Sequence, residues 1–158
     1  YRSISHHPRV RNFLRGASNL HPPPIHRYPT WDLNKVLKAL TIHPFEPIQT
    51  ISLHLLSYKV AFLVAITSAR RISELASLSV RQDLCIFHPD KVVLRTDPSF
   101  LPKVNSIFHR SQELILPSFC TQPSHPLEHK WHKLDVRRAL KAYLHRTSSF
   151  RKTESHFV

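Results

Sequence analysis

The sequence predicts an α+β fold that is mainly helical, with a small three-stranded antiparallel sheet. Apolar residues recur at helical spacing in the first half of the chain and again near its C-terminal end. The part between them holds short β-rich runs bounded by turn residues. The chain has 158 residues, 41% of them hydrophobic, which suffices for one core of ordinary size and a small appendage.

The first predicted element is an amphipathic helix over residues 8–18. Its apolar face is formed at i, i+3, i+4 and i+7 spacing by Val10, Phe13, Leu14 and Ala17. Its other face carries Arg9, Arg11 and Arg15. Gly16 and Asn19 supply stop signals, and residues 21–29 contain four prolines, which predicts a stiff linker and a domain boundary.

Three further helices are predicted after this linker. Thr30 or Asp32 can cap the first of them. Its apolar face consists of Leu33, Val36, Leu37 and Leu40. Residues 50–68 form a helix that is apolar nearly all round beyond Leu55, so we expect it to be the buried central helix. A short helix over residues 73–79 follows it.

The middle of the chain predicts the sheet. Its strands are the β-rich runs 84–87, 92–94 and 114–116. A tight turn at 88–90 joins the first two strands, and a longer connection, 95–111, joins the second strand to the third. Asp135 then caps a final helix. The inward residues of this helix are Val136, Ala139, Leu140, Tyr143 and Leu144, and the outward ones are Arg137, Arg138 and Lys141.

The charge of the chain predicts a polyanionic partner. Lysine and arginine number 23 against 10 acidic residues, and the excess of 13 positive charges is concentrated in residues 1–31 and 129–158. The two cysteines form no Cys-x-x-Cys pattern, which is typical of an intracellular, reducing compartment. The longest apolar run has seven residues, so we expect no membrane partner.

The most informative segment, residues 68–78, reads SARRISELASL. It places Arg70 and Arg71 where the long apolar helix ends, a costly position for guanidinium groups unless an anion meets them. This segment resembles the first catalytic arginine motif of the tyrosine recombinases, and the chain is most similar to the recombinases of DIRS-like retrotransposons. The other segments that carry the resemblance are residues 12–16, 20–23, 31–37, 44–47 and 100–104.

The resemblance implies a division of the chain and a partner. Residues 1–20 would be the last helix of a core-binding domain, 21–29 the linker, and 30–158 the N-terminal portion of a catalytic domain. The partner would be double-stranded DNA in the nucleus, with a homo-oligomer on DNA in the full-length protein and no cofactor. The complete protein of such a mobile element would act in DNA recombination and integration by cutting and rejoining DNA through a 3′-phosphotyrosine intermediate.

The resemblance also implies roles for single residues. Arg71 would clamp phosphate oxygens, Lys103 would protonate the leaving oxygen, and Glu74 would hold Arg71 in place. Arg70 would contact the DNA backbone or solvent. The remaining DNA-binding candidates are Arg9, Arg11, Arg15, Arg137, Arg138 and Lys141. Two alternatives stay open, a structural Arg71–Glu74 pair and a Lys103 that is merely solvated.

Part of the implied active site is missing from the sequence. No His-x-x-Arg follows Arg71, and Tyr143, on the apolar face of its helix, is explained by packing rather than as a nucleophile. We therefore expect the chain to be inactive alone. The alternative to a recombinase fragment is a domesticated, catalytically dead module that binds DNA, chromatin or another protein.

A competing pattern has the spacing of zinc ligands. It consists of Cys120, His125, His129 and His132. Pro123 and Pro126 predict a loop at this place, and with 13 histidines in the chain such a cluster can arise by chance. No metal site is therefore assigned.

Overall fold

The computed structural model describes residues 7–21, 31–103 and 106–157. Within these ranges it contains seven helices and one three-stranded antiparallel sheet, so the predicted mixture of helices and a small sheet is confirmed. The chain divides into two compact units, Tyr1–Asp32 and Leu33–Val158. No helix of the described residues is long and apolar enough to cross a membrane.

The first unit contributes helix α1 (Pro8–Leu20). It is two residues longer than the predicted 8–18 and passes through Gly16, since a single glycine costs a helix only about 1 kcal/mol. His7 caps it by accepting the backbone N–H of Arg9, and no residue of α1 is buried. The predicted linker and the Thr30 cap lie outside the described residues, except for His21, where α1 ends.

The second unit begins with α2 (Leu33–Ala39) and α3 (Leu53–Ser68). Helix α3 starts three residues later than the predicted 50–68, because the Ser52 hydroxyl caps it by accepting the N–H of Leu55. It is the central helix, as predicted, and packs against the last helix and the third strand. Only one side of it is buried, however, since Tyr58 is 58% exposed and Ile66 43%.

Helix α4 (Ile72–Ala76) leads to the sheet, whose strands are β1 (Cys85–Phe87), β2 (Lys91–Leu94) and β3 (Leu114–Pro117). The spatial order is β1-β2-β3, and both pairings are antiparallel. The predicted turn between the first two strands is present, with the His88 N–H donating to the Lys91 carbonyl at 2.9 Å. The connection from β2 to β3 contains one helical turn, α5 (Ile107–Arg110), which was not predicted.

Helix α6 (Pro126–His132) corrects the prediction of a loop in this region. A proline is tolerated in the first turn of a helix, where its missing N–H would have no partner. His125 caps the helix, and the Glu128 carboxylate accepts the His125 backbone N–H, which completes a capping box. Proline therefore marks the beginning of a helix here.

Helix α7 (Val136–Thr147) completes the core. Asp135 caps it as predicted, accepting the Arg138 N–H at 2.6 Å, and the same carboxylate accepts the Phe119 N–H at 2.7 Å. The buried face contains the predicted residues except Leu144, which is half-buried, and includes Thr147. The segment after α7 contacts the residues that follow α4 in the sequence, where the His156 N–H donates to the Leu78 carbonyl.

An ion-pair network lies beside the core, at the interface of α3 and α7. The Lys59 ammonium is fully buried and bonds to Glu46 at 2.5 Å and to the Leu40 carbonyl at 2.8 Å. The Arg138 guanidinium forms a two-pronged pair with the same carboxylate, at 3.0 and 3.1 Å. Burial by itself raises the pKa of Glu46, but hydrogen bonds from Arg138 and Lys59 outweigh it and lower the pKa below its ordinary value.

Candidate nucleic-acid interface

The turn from α3 into α4 sets the positions of the two adjacent arginines. Ala69 ends α3 in the left-handed region at φ 51°, and its N–H donates to the Ala65 carbonyl at 2.9 Å. Arg71 then directly precedes α4, with its carbonyl accepting the N–H groups of Glu74 and Leu75 at 2.9 and 3.0 Å. Because the chain changes direction sharply at Ala69, the side chains of Arg70 and Arg71 lie in different surroundings although they are adjacent in sequence.

Arg70 is held by the fold. Its guanidinium donates to the Gln112 side chain at 2.6 Å, and it lies 3.6 Å from the Glu74 carboxylate. Glu74 therefore pairs with Arg70, and no contact with Arg71 supports the predicted positioning role or the structural Arg71–Glu74 pair. The i,i+4 spacing of Arg70 and Glu74 was the sequence signal for the observed pair.

Arg71 has the opposite character. Its side chain is exposed and makes no hydrogen bond or ion pair with any described residue. Lys103, from the connection between β2 and β3, is also exposed, and the two side chains line one cleft of about 220 Å³. Pro102 and His109 complete the wall on the Lys103 side. The structure thus brings Arg71 and Lys103 together, and it adds His109, which sequence reasoning missed.

A smaller apolar pocket adjoins this cleft. Its walls include Leu75, Leu94 and Phe100. It shares four residues with the cleft, namely Arg70, Glu74, Pro102 and His109. The Arg70 pairs therefore lie at the boundary between apolar and cationic surroundings. The cleft itself offers two cationic side chains without a fixed partner among the described residues, Arg71 and Lys103.

The other predicted DNA contacts fall into two groups. The three arginines of α1, namely Arg9, Arg11 and Arg15, are exposed. On α7, Lys141 is exposed, but Arg137 and Arg138 do not point freely outward as predicted. Arg137 donates to the His88 carbonyl at 2.8 Å and lies over the Phe87 ring, and Arg138 is occupied by Glu46. Both arginines anchor α7, because carboxylate, carbonyl and ring acceptors were available within the fold.

The zinc-like pattern is engaged in other bonds. The Cys120 thiol donates to the Glu128 carbonyl at 3.0 Å, His132 bonds to the Cys120 carbonyl at 2.8 Å, and His125 caps α6. Desolvation and the Glu128 carboxylate raise the pKa of the Cys120 thiol, which disfavours the thiolate that zinc binds. In the described part of the chain, no three His, Cys, Asp or Glu side chains converge on a point where a metal ion fits.

No protein-family model, no curated protein and no solved structure matches this chain. An exposed arginine and an exposed lysine in one cleft, on a chain of net charge +13, are suited to binding a phosphate group.

Proposed function

We propose that this chain binds double-stranded DNA through the cleft of Arg71 and Lys103. We further propose that residues 30–158 correspond to the N-terminal portion of a tyrosine-recombinase catalytic domain, from a protein that works on nuclear DNA. The observation that carries the proposal is the contrast between two adjacent arginines. Arg70 has its partners within the fold, whereas Arg71 is exposed beside a lysine from a distant part of the chain.

The chemistry of the cleft supports a phosphodiester ligand. A guanidinium presents two parallel N–H donors that match two oxygens of one phosphate, and an ammonium adds a point charge that can follow a moving oxygen. In metal-free phosphoryl transfer, such fixed donors meet the negative charge that develops on the phosphate. Arg71 would be the clamp, and Lys103 would be the group beside the leaving oxygen.

The order of the elements also supports the proposal. The central helix is followed by the double arginine and then by a short helix, and the lysine lies between the second and third strands of a three-stranded sheet. The resemblance to the DIRS-like recombinases implies the same order. The arginines of α1 and Lys141 of α7 would add contacts to the DNA backbone, which carry affinity without sequence preference.

The proposal for these 158 residues is DNA binding without strand cleavage. The sequence holds no His-x-x-Arg after Arg71, and Tyr143 is fully buried in the core, where it cannot reach a scissile phosphate. In a complete recombinase the cleft would contribute to cutting and rejoining DNA, on which the protein would act as an oligomer. A catalytically dead module would use the same cleft for binding alone.

The experiment compares alanine variants of the two cleft cations with matched surface controls. Fluorescence anisotropy of a labelled duplex at low salt measures binding by Arg71→Ala and Lys103→Ala, with Arg81→Ala and Lys130→Ala as controls. Each cleft variant should bind about tenfold more weakly, the low end of what a hydrogen bond to a charged group is worth. Arg71→Lys should recover only part of this loss, because lysine cannot form the two-pronged contact.

The fold provides a second measurement. Because the Arg71 side chain is exposed and unpaired among the described residues, Arg71→Ala should change the free energy of unfolding by under about 0.5 kcal/mol. Cleft variants that bind the duplex as well as the wild type would overturn the proposal. A stability loss of several kcal/mol would instead assign Arg71 a structural role.

A further inference from the structure

His109 occupies a place in the cleft that the resemblance does not assign. It lies on α5, in the connection that also carries Lys103, and its side chain lines both the cationic cleft and the adjoining apolar pocket. The cleft therefore has four nitrogen-bearing side chains. Arg70 is held by Gln112 and by Glu74, whose carboxylate also lines the cleft, and the other three are Arg71, Lys103 and His109.

The ring of His109 is oriented by Ser106. The Ser106 hydroxyl oxygen caps α5 by accepting the His109 backbone N–H at 3.3 Å, and it lies 2.7 Å from Nδ1 of the same histidine. The same serine thus fixes both the backbone and the ring edge. No described residue bonds to Nε2, so that edge is left for a ligand.

The Ser106 hydroxyl can either donate to Nδ1 or accept from it, and the two cases place the proton of a neutral ring on different nitrogens. A neutral ring that accepts the Ser106 hydroxyl proton at Nδ1 holds its own proton at Nε2. A protonated ring donates from Nδ1 to the serine and still carries N–H at Nε2. In both of these states Nε2 carries a proton and can donate to an anion, whereas a neutral ring with its proton on Nδ1 would present Nε2 as an acceptor.

We propose that His109 is a third phosphate-contacting residue, whose Nε2–H donates to a phosphate oxygen held by Arg71 and Lys103. The inference rests on the proposed function, because it takes the anion in the cleft to be a DNA phosphodiester. Arg71 supplies the fork and Lys103 the mobile charge. His109 supplies a donor of fixed direction, since a serine bond rather than solvent sets the ring angle.

The test uses two substitutions that separate the ring nitrogens. The amide nitrogen of His109→Gln reaches the place of Nε2, and that of His109→Asn reaches only the place of Nδ1. On the labelled duplex, His109→Asn should bind about tenfold more weakly and His109→Gln within about twofold of the wild type. Ser106→Ala should lie between them, and His129→Asn, a change in an exposed histidine of α6, should have no effect.

A second readout reports on the ring itself. Long-range ¹H–¹⁵N correlation should show Nδ1 without and Nε2 with a proton in the neutral His109 ring, and titration with inorganic phosphate should shift the Nε2 signal. The His129 ring should not respond. A merely structural histidine would give neither the phosphate shift nor the rescue by glutamine.

The outcomes separate the role of His109 from the proposed function of the cleft. If Arg71→Ala weakens duplex binding and His109→Asn does not, the assignment of His109 is wrong and the proposed function stands. If the wild type fails to bind the duplex, or if neither variant changes binding, both are wrong. Equal losses for His109→Gln and His109→Asn would overturn the donor role of Nε2.

Discussion

Replacement of Glu46 by glutamine should destabilise the fold strongly, because it leaves a lysine ammonium in the core without a counter-charge. Lys59 is fully buried, and Glu46 is its one acidic partner among the described residues. After Glu46→Gln, the ammonium keeps the Leu40 carbonyl at 2.8 Å and a longer contact to the Phe45 carbonyl at 3.4 Å. Removing one partner of a buried ion pair lowers the free energy of unfolding by about 3–5 kcal/mol.

The stability loss of Glu46→Gln has an upper bound, because Lys59 can lose its proton instead of remaining charged and unpaired. Deprotonating at pH 7 a group whose ordinary pKa is 10.5 requires about 5 kcal/mol, at about 1.4 kcal/mol for each pKa unit. The loss of stability in Glu46→Gln should therefore not exceed about 5 kcal/mol by much. Burial already lowers the pKa of Lys59, and the bond to Glu46 opposes that shift.

Urea unfolding of Glu46→Gln at pH 7 measures the effect, with Asp83→Asn as the matched control. Asp83 pairs with Arg81 at 2.9 Å, but these side chains are 60% and 41% exposed, so the control should lose under about 1 kcal/mol. The double variant Glu46→Leu with Lys59→Met should recover part of the loss, since it removes the fully buried charge and leaves only Arg138, whose side chain is 20% exposed, without its carboxylate. If Glu46→Gln loses no more than Asp83→Asn, the reasoning about this network is refuted.

Three further predictions concern pH, salt and covalent chemistry. Burial and the Arg151 cation lower the pKa of His156 from 6.5 to about 4, so between these two pH values the unfolded chain binds more protons than the folded one. The free energy of unfolding should therefore decrease by about 3 kcal/mol as the pH is lowered from 6.5 to 4; urea unfolding at a series of pH values should show this decrease, and His156→Leu should abolish it. Below pH 4.5 the contribution of Glu46 should be lost in addition, because its folded pKa is lowered. Duplex binding should weaken with salt at a log–log slope of about −0.9 for each phosphate neutralised, and affinity independent of salt would contradict a DNA-backbone ligand. A nicked suicide substrate should trap no covalent complex, and any trapped complex would direct attention first to Tyr143.

The sequence predicted correctly those elements in which apolar and polar residues alternate regularly between the core and the solvent. The strands of the sheet alternate with turn residues, and the start of α7 was found because Asp135 directly precedes a helical apolar pattern. Helix α5 and helix α6 were missed for different reasons. The four residues of α5 show no period, and the proline of α6 was interpreted as a loop signal although it stands at the first helical position.

Local sequence patterns identified single residues of the candidate site, but they could not show which of these residues lie close together in space. Arg71 and Lys103 are 32 positions apart, and only the family resemblance suggested that they meet. The roles of Arg138 and Lys59 could not be predicted, because a cation on a helix is ordinarily solvated and their partner Glu46 comes from a distant turn. His109 was missed because its place in the cleft depends on the path of the whole connection from β2 to β3.

The contrast between Arg70 and Arg71 is the strongest argument for a ligand. The backbone of Arg71 is held at the start of α4, because its carbonyl accepts the N–H groups of Glu74 and Leu75. Its side chain nevertheless makes no bond with any described residue and shares a cleft with another cation, Lys103. Stability does not account for two like charges brought together from distant segments, because their mutual repulsion opposes folding. A bound anion relieves that repulsion and uses both groups, and a rigid backbone beneath a free guanidinium is the arrangement that binds such an anion with little loss of conformational freedom.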